Sequence, residues 1–177
     1  MRKISLFIAV SVDGYIAQPN DNLDFLKHVE KEGEDYGYKA FTDTVDTIII
    51  GRKTYDYVSR HLGESYYDSG NRDVYVMTRS ARPTIGRTAF FSGKLTNLID
   101  DLRSRNGKGI YCDGGAEIIN EFLRHDLVDE LIISIVPILL GSGTRLFKDG
   151  NSEKLLQMVD VKTFDTGLTQ LRYRRVR

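Results

Sequence analysis

The stretch "IIIGRKTYD", residues 48–56, joins a run of β-branched residues to a glycine and two cations. Its first half is typical of a buried strand, and the part from Lys53 onward is typical of a helix. Gly51 lets the backbone pass close to a ligand, while Arg52 and Lys53 offer charge to phosphate oxygens. Thr54 adds a hydroxyl near the free N–H groups of a helix start. Taken alone, the stretch fits a phosphate site or an ordinary strand-to-helix turn with solvated cations.

The rest of the chain repeats this alternation of apolar strands and amphipathic helices. The alternation predicts an α/β fold with a mostly parallel sheet and helices on both faces. The predicted strands are Ile4–Val12, Thr47–Ile50, Val74–Thr78, Gly109–Cys112, Leu131–Leu139 and Leu168–Val176. The predicted helices are Leu23–Val29, Tyr36–Val45, Lys53–Arg60, Leu95–Asn106 and Glu117–Arg124. The charged ending "LRYRRVR" suits an antiparallel strand at the edge of the sheet, because cations discourage further pairing.

The bulk composition is that of a globular domain, and 177 residues predict a single domain over 1–177. The 25 basic residues balance 25 acidic ones, which argues against a general nucleic-acid binder. One cysteine, Cys112, excludes an intramolecular disulfide and fits a reducing cytoplasm, and three histidines give no zinc-ligand spacing. No stretch reaches the ~18 apolar residues of a membrane span, so we expect the apolar N-terminus to be the first strand.

Two further strand ends carry residues suited to a phosphorylated ligand. "VYVMTRS" ends in Thr78, Arg79 and Ser80, where two hydroxyls flank a guanidinium, although a polar strand exit would look similar. "IYCDGGAEIINEFL" places Gly114 and Gly115 before an amphipathic helix whose N-terminus favours an anion, although a plain turn is the alternative. Because parallel strands present their carboxyl ends at one rim, three such stretches favour a shared dinucleotide site.

The order and spacing of these stretches resemble the dihydrofolate reductase superfamily, and most closely the small bacterial proteins grouped with the riboflavin-pathway reductase domain (RibD C-terminal-like). The stretches that carry the resemblance are "AVSVDGYIA" at 9–17, "DTIIIGRKTYD" at 46–56, "VYVMTRS" at 74–80, "DGGAEIINEFL" at 113–123 and "DLVDELIISIVPILLGSGTRLF" at 126–147. The last of these indicates the riboflavin-type branch rather than folate reductase itself.

The resemblance implies a three-layer fold with an antiparallel C-terminal edge strand, and NADPH as the hydride donor. It implies that residues 51–54 contact the adenosine-side phosphates, that residues 78–80 contact the 2′-phosphate and adenine, and that residues 114–117 surround the pyrophosphate. Ala9 and Ile16 would flank the nicotinamide ring. The implied cofactor-binding residues are Ala9, Ile16, Gly51, Arg52, Lys53, Thr54, Thr78, Arg79, Ser80, Gly114, Gly115, Ala116 and Glu117.

The substrate side departs from the folate pattern in "QPNDNLDFLKHV", and the chain contains no tryptophan. Asp24 is our candidate for the catalytic proton donor, and Phe25 beside it could stack on a planar substrate. Asp21 and Asp13 are alternatives, although Asp21 equally suits a helix cap and Asp13 a turn. Ser134 would point toward the substrate if it aligns with the hydroxyl residue of folate reductases.

We therefore expect a cytoplasmic NADPH-dependent reductase of a small planar heterocycle, pterin-like or pyrimidine-like. One alternative is the 5-amino-6-(5-phosphoribosylamino)uracil reductase of riboflavin biosynthesis. The Asp-Asn-Pro segment that helps such enzymes hold a ribosyl phosphate is replaced here by "YDYVSRHLGESYYDSG". The other alternative is a protein that binds NADP(H) without catalysis. The expected partners are a small-molecule substrate and, from the resemblance, a second copy of the chain, with no nucleic acid and no membrane.

Overall fold

The computed structural model describes residues 1–63, 65–67, 70–80 and 82–176. Its strands are β1 (Ile4–Ser11), β2 (Tyr15–Ala17), β3 (Val45–Gly51), β4 (Asp73–Met77), β5 (Thr88–Phe91), β6 (Gly109–Gly114), β7 (Glu130–Val136), β8 (Thr144–Arg145), β9 (Leu156–Thr163) and β10 (Thr169–Arg175). Its α-helices are α1 (Tyr38–Thr42), α2 (Arg52–Leu62), α3 (Leu95–Ser104) and α4 (Ala116–Arg124). Short 3₁₀ helices span Pro19–Asp21 and Asp24–Val29.

Eight of the strands form one sheet in the order β5-β4-β3-β6-β1-β7-β10-β9. The first six strands in this order run parallel, and β10 and β9 run antiparallel to their neighbours. The predicted fold class is thereby confirmed. β3 and β7 lie in the interior of the sheet and are buried along most of their length, as their continuous apolar runs predict.

Four strands were missed by the sequence prediction. β2, β5 and β8 have two to four residues, which is too short for a periodic pattern to show. β9 pairs outside β10, so the charged C-terminal strand lies one place in from the outermost strand of the sheet. Val45, which the pattern placed at the end of a helix, begins β3 because it pairs with Gly109 of β6.

The two faces of the sheet pack against different helices. On one face α3 and α4 bury a stripe of leucine, isoleucine and phenylalanine side chains against β1 and β6. On the other face α1 and α2 pack Phe41 and Tyr55 against β3 and β4, and the 3₁₀ helix packs Phe25 against Val136 of β7. These buried faces fix the strand register and so hold the carboxyl ends of the parallel strands at one rim. None of the helices in the described ranges combines the length and apolarity needed to span a bilayer.

Candidate functional site

The three predicted phosphate-binding stretches lie side by side along the carboxyl rim of the sheet. Residues 78–80 follow β4, residues 51–54 follow β3, and residues 114–117 end β6 and begin α4. These three strands are neighbours, and β1 lies next to β6. From β4 to β1 there are three strand spacings, roughly 14 Å. Along the rim, the three stretches and β1 follow one another in the order that the resemblance implies for adenosine, pyrophosphate and nicotinamide.

The turn after β3 and the turn after β6 touch each other. A Cβ atom added to Gly115 would lie 2.7 Å from Oγ1 of Thr54, and one added to Gly51 would lie 3.1 Å from Cγ1 of Ile118. Glycine at positions 51 and 115 therefore allows the two turns to lie this close together. The contact brings the N-termini of α2 and α4 together, and their two positive dipole ends make this part of the rim favourable for an anion.

The predicted residues at the start of α4 contribute in different ways. Ala116 is buried, whereas the Glu117 side chain points away from the rim toward Lys148, with which it forms an ion pair. The hydrogen bond from Lys148 holds the pKa of Glu117 below its usual range. The Glu117 carboxylate is therefore engaged, and the backbone N–H is the group that this residue can offer to a phosphate.

The cations of the rim gather around one carboxylate. Arg52 forms an ion pair with Asp56, and Nη1 of Arg82 lies 3.7 Å from Oδ1 of the same aspartate. The Arg82 guanidinium also lies 5.5 Å from the centre of the Phe90 ring. Sequence reasoning missed Arg82 and Asp56, because their proximity depends on how the loop after β4 folds back over α2.

The turn after β4 leaves its arginine exposed. Oγ1 of Thr78 accepts a hydrogen bond of 3.2 Å from the backbone N–H of Ser80, which fixes the turn around Arg79. Arg79 makes no ion pair with any residue that the structure describes, and Lys53 is likewise exposed. Arg79 is thus placed at the rim without an ion-pair partner among the described residues, whereas Lys53 interacts electrostatically with Glu117.

A cavity of about 570 Å³ lies beside β1 and β7, on the face that holds the 3₁₀ helix. Ala9 and Ser134, which are register partners on these strands, form part of its lining together with Phe7, Tyr36 and Tyr38. The predicted nicotinamide-side residue Ala9 and substrate-side residue Ser134 therefore meet in one cavity. Ile16, the other predicted nicotinamide neighbour, lies on β2 and packs against the main core.

Asp24 and Phe25 do not have the surroundings that their predicted roles need. The Asp24 side chain is 59% exposed and pairs with Lys27 at 2.6 Å, and the hydrogen bond from Lys27 lowers its pKa. An exposed carboxylate with a lowered pKa is a poor proton donor. Phe25 is only 1% exposed and packs in the core against Val136, so it has no free ring face. Asp21 is also exposed, on the short 3₁₀ helix.

Asp13 holds two loops together. Its carboxylate accepts a hydrogen bond of 2.6 Å from the Ser11 hydroxyl and bonds of 3.0 and 2.7 Å from the backbone N–H groups of Leu140 and Gly141. The Ser11 bond, followed by these amides, lowers the pKa of Asp13 to about 2. Asp13 is therefore ionised at neutral pH and ties the turn after β1 to the glycine-rich loop after β7, which agrees with the turn role.

Asp113 is a carboxylate for which the sequence pattern predicted no role. It lies on β6 just before the two glycines, and Oδ2 accepts a 2.7 Å hydrogen bond from the Tyr67 hydroxyl. Burial of the carboxyl group raises its pKa, against the opposing effect of the Tyr111 and Tyr67 hydroxyls. Tyr38, which lines the cavity, packs edge-on against Tyr111. A polar residue in an otherwise apolar strand was the signal that could have found Asp113.

Together, the sheet order, the paired glycine turns and the adjoining cavity define a dihydrofolate reductase-like domain. The family model for the RibD C-terminal domain matches residues 2–170. The chain belongs to this family.

Two uncharacterised proteins of Bacillus subtilis (strain 168) are similar in sequence to this chain over nearly their whole length. YwjB is 37% identical over 175 residues, which cover 98% of each chain. YyaP is 30% identical over 181 residues, which cover 97% of this chain and 94% of that one. These relatives support the family membership and leave the activity open.

Solved structures share the fold. A Shewanella sp. PV-4 protein, whose description assigns it to riboflavin biosynthesis, has a TM-score of 0.87 and 32% identity, and 99% of each chain is covered. A Thermotoga maritima deaminase/5-amino-6-(5-phosphoribosylamino)uracil reductase has a TM-score of 0.75 and 15% identity. That comparison covers 99% of this chain but 57% of the larger protein, and it shows the fold alone.

Proposed function

We propose that this protein is an NADPH-dependent reductase of a small planar heterocycle. The observation that carries the proposal is the contact between the two glycine turns at the carboxyl rim, directly beside a cavity large enough for a heterocycle. Dinucleotide sites in open α/β sheets occur at this edge. Membership of the RibD C-terminal domain family adds support, because the structurally similar Thermotoga protein is described as a reductase.

The residues present along the rim fit a phosphorylated dinucleotide. The missing side chains of Gly115 and Gly51 let the two turns pack against each other, which keeps the N-termini of α2 and α4 together as a place for a pyrophosphate. The exposed guanidinium of Arg79, together with Thr78 and Ser80, suits a 2′-phosphate. When bound, NADPH supplies the hydride, and the protein has to orient the reacting groups and keep water away from them.

The cavity supplies the substrate side of the reaction. Its aromatic walls, Phe7, Tyr36 and Tyr38, offer flat surfaces to a planar ring, and Ser134 offers a hydroxyl. We propose Asp113 in place of Asp24 as the residue that holds a proton, because it lies on β6 directly before the glycine turn, Tyr67 donates a 2.7 Å hydrogen bond to it, and burial raises its pKa above the usual range. Tyr111, which hydrogen-bonds to Asp113, packs edge-on against Tyr38, and Tyr38 lines the cavity.

Two alternative functions make different predictions. A 5-amino-6-(5-phosphoribosylamino)uracil reductase would turn over that pyrimidine, an activity supported here by the family membership. A protein that only binds the cofactor would bind NADPH tightly without oxidising it in the presence of pterins, pyrimidines or quinones. A cofactor titration followed by a substrate screen separates the three functions. The cytoplasmic location remains a prediction from composition.

Replacing Arg79 with alanine tests the cofactor assignment. Because a charge-assisted hydrogen bond contributes about 1.5–3 kcal/mol, we expect the Kd for NADPH to rise roughly 10–100-fold, with little change for NADH. Calorimetric titration of both cofactors measures this. Arg87→Ala is the matched control, because Arg87 pairs with Asp73 at the opposite end of β4. Equal losses for the two cofactors would remove Arg79 from the 2′-phosphate site.

We also propose that the protein is a homodimer and that β9 forms the contact. β9 has a free edge, and Met158, Val159 and Val161 are each more than 40% exposed along it. An exposed apolar edge strand invites pairing with another strand. We expect Val161→Lys to convert a dimer to a monomer in light scattering, whereas Leu62→Lys, at another exposed apolar position, should not. A monomeric wild-type protein would contradict the proposal.

A further inference from the structure

We infer that the substrate that enters the cavity carries no phosphate or other anionic group: it is an uncharged or cationic planar compound. The inference rests on the proposed function, since it concerns the substrate side of the same reductase site. It differs from what a phosphoribosyl-pyrimidine reductase would need. Three features of the cavity carry it, namely the charge of its mouth, the nature of its interior and the separation of charges along the rim.

Carboxylates line the mouth of the cavity. Four acidic residues and one lysine take part in the lining: Glu30, Glu32, Glu34, Asp35 and Lys31. Nζ of the lysine lies 2.7 Å from Oδ2 of Asp165, outside the lining, so its charge is already matched. Lys27, on the neighbouring 3₁₀ helix, pairs with Asp24 at 2.6 Å. These two lysines are thus paired, while the carboxylates of the lining are in excess.

Two of the four carboxylates have no structural task in the described part of the chain. Glu34 accepts a hydrogen bond of 2.8 Å from the N–H of Tyr36, and Asp35 accepts bonds from residues at the start of α1. The carboxylates of Glu30 and Glu32 make neither a hydrogen bond nor a direct ion pair with the described residues, and both residues are exposed; Lys27 acts on the Glu30 carboxylate only as a more distant charge. These two carboxylates can therefore bind a cationic or hydrogen-bond-donating group of a ligand, and they repel an anionic group.

The interior of the cavity suits a planar, weakly polar group. Oγ of Ser134, which is 3% exposed, accepts a 3.0 Å hydrogen bond from Nε2 of Gln170, and Nε2 also donates to the carbonyl of Tyr36. The Ser134 oxygen is therefore held as an acceptor, and its own O–H can donate to a carbonyl or ring nitrogen of a ligand. Phe7 and Tyr38 line the same cavity with aromatic surface.

Charges of opposite sign are separated along the site. The exposed cation Arg79 and the pair Arg52 and Arg82 lie at the β4 and β3 end of the rim, where the cofactor phosphates are proposed to bind. The carboxylates lie at the far end, beside β1 and β7. A phosphate within about 8 Å of these carboxylates would be repelled at physiological salt. The arrangement directs anionic groups to the cofactor end and away from the cavity.

A matched pair of ligands tests the inference by equilibrium binding. The probes are 5-amino-6-ribosylaminouracil and its 5′-phosphate, titrated calorimetrically into the NADP⁺-saturated and the cofactor-free protein, where no hydride can be transferred. We expect the phosphate-free compound to bind at least about tenfold tighter, and the ratio to shrink as salt is raised. Glu30→Gln/Glu32→Gln should tighten the phosphate form several-fold and leave the other unchanged. Asp149→Asn/Glu153→Gln, exposed elsewhere, is the control.

Each outcome has one meaning for the inference. Equal affinities, a preference for the phosphate, or no binding of the phosphate-free probe would overturn it. NADPH oxidation is measured separately with both probes. A preference for the phosphate-free probe without oxidation would leave the inference standing and refute the proposed reductase function, whereas oxidation with a preference for the phosphate would do the reverse.

Discussion

Gly115→Ala is expected to weaken NADPH binding roughly 10–100-fold while the protein stays folded, because hydrogen bonds to charged groups contribute about 1.5–3 kcal/mol. Gly115 has φ −75°, so it does not need the left-handed conformation that favours glycine, and the added Cβ atom meets a neighbouring side chain. The new Cβ atom would lie 2.7 Å from Oγ1 of Thr54, and we expect the two turns to move apart, together with a rotation of the Thr54 side chain, to relieve this contact. That movement displaces the backbone N–H groups proposed to hold the pyrophosphate.

A double-mutant cycle separates this clash from a general loss of stability. In a Thr54→Ala background the obstructing hydroxyl is gone, so adding Gly115→Ala should cost little further NADPH affinity. Gly51→Ala is the milder comparison, since its Cβ atom would meet the Cγ1 atom of Ile118 at 3.1 Å. Calorimetry gives the affinities, and circular dichroism checks the fold. An unchanged Kd for folded Gly115→Ala would show that the paired turns do not hold the cofactor.

The sequence predicted the central sheet well, because its signals are local. Continuous apolar runs such as Ile48–Ile50 predict interior strands wherever they occur, and the helix over Leu95–Ser104 shows a clear apolar stripe. The strand β9 was missed because most of its residues are exposed, so its sequence "LQMVDVKT" lacks a buried stripe. Pairing with β10 alone defines it. Strand pairing of this kind depends on the tertiary structure, so the sequence of one segment does not predict it.

The residues of the candidate site also fall into two groups: those whose position the sequence could predict from local signals, and those whose position depends on the tertiary structure. The sequence could predict that groups which follow a strand end, such as Arg79 and Gly115, lie at one rim, because parallel strands place their carboxyl ends at the same edge of the sheet. Asp24 and Phe25 lie in surroundings that do not favour their predicted roles, and the sequence could not show this because it gives no sign of which face of a short 3₁₀ helix is buried. There the ring of Phe25 faces the core and the carboxylate of Asp24 faces solvent. Arg82 was missed for a related reason, since its partner Asp56 belongs to another element.

The largest effect on stability is expected for Gly143→Ala, in the loop that joins β7 to β8. Gly143 has φ +136°, a conformation that L residues rarely adopt, and an added Cβ atom would lie 2.0 Å from the backbone oxygen of Ala17. Backbone atoms cannot rotate away as a side chain can. We therefore expect the free energy of unfolding to fall by about 3 kcal/mol, as β8 separates from β2. Urea denaturation followed by circular dichroism measures the change.

Gly141→Ala is the matched control for Gly143→Ala, two residues earlier in the same loop. Gly141 also has a positive φ, +71°, but nothing lies within 4 Å of its added Cβ atom. The substitution therefore adds only the cost of placing an L residue in the left-handed conformation, and we expect the free energy of unfolding to fall by about 1 kcal/mol. Because β2 carries Ile16, separation of the ribbon should also weaken NADPH binding in the Gly143 variant and spare it in the Gly141 variant. Equal costs for the two substitutions would mean that the close approach of Gly143 to Ala17 does not hold β2 and β8 together.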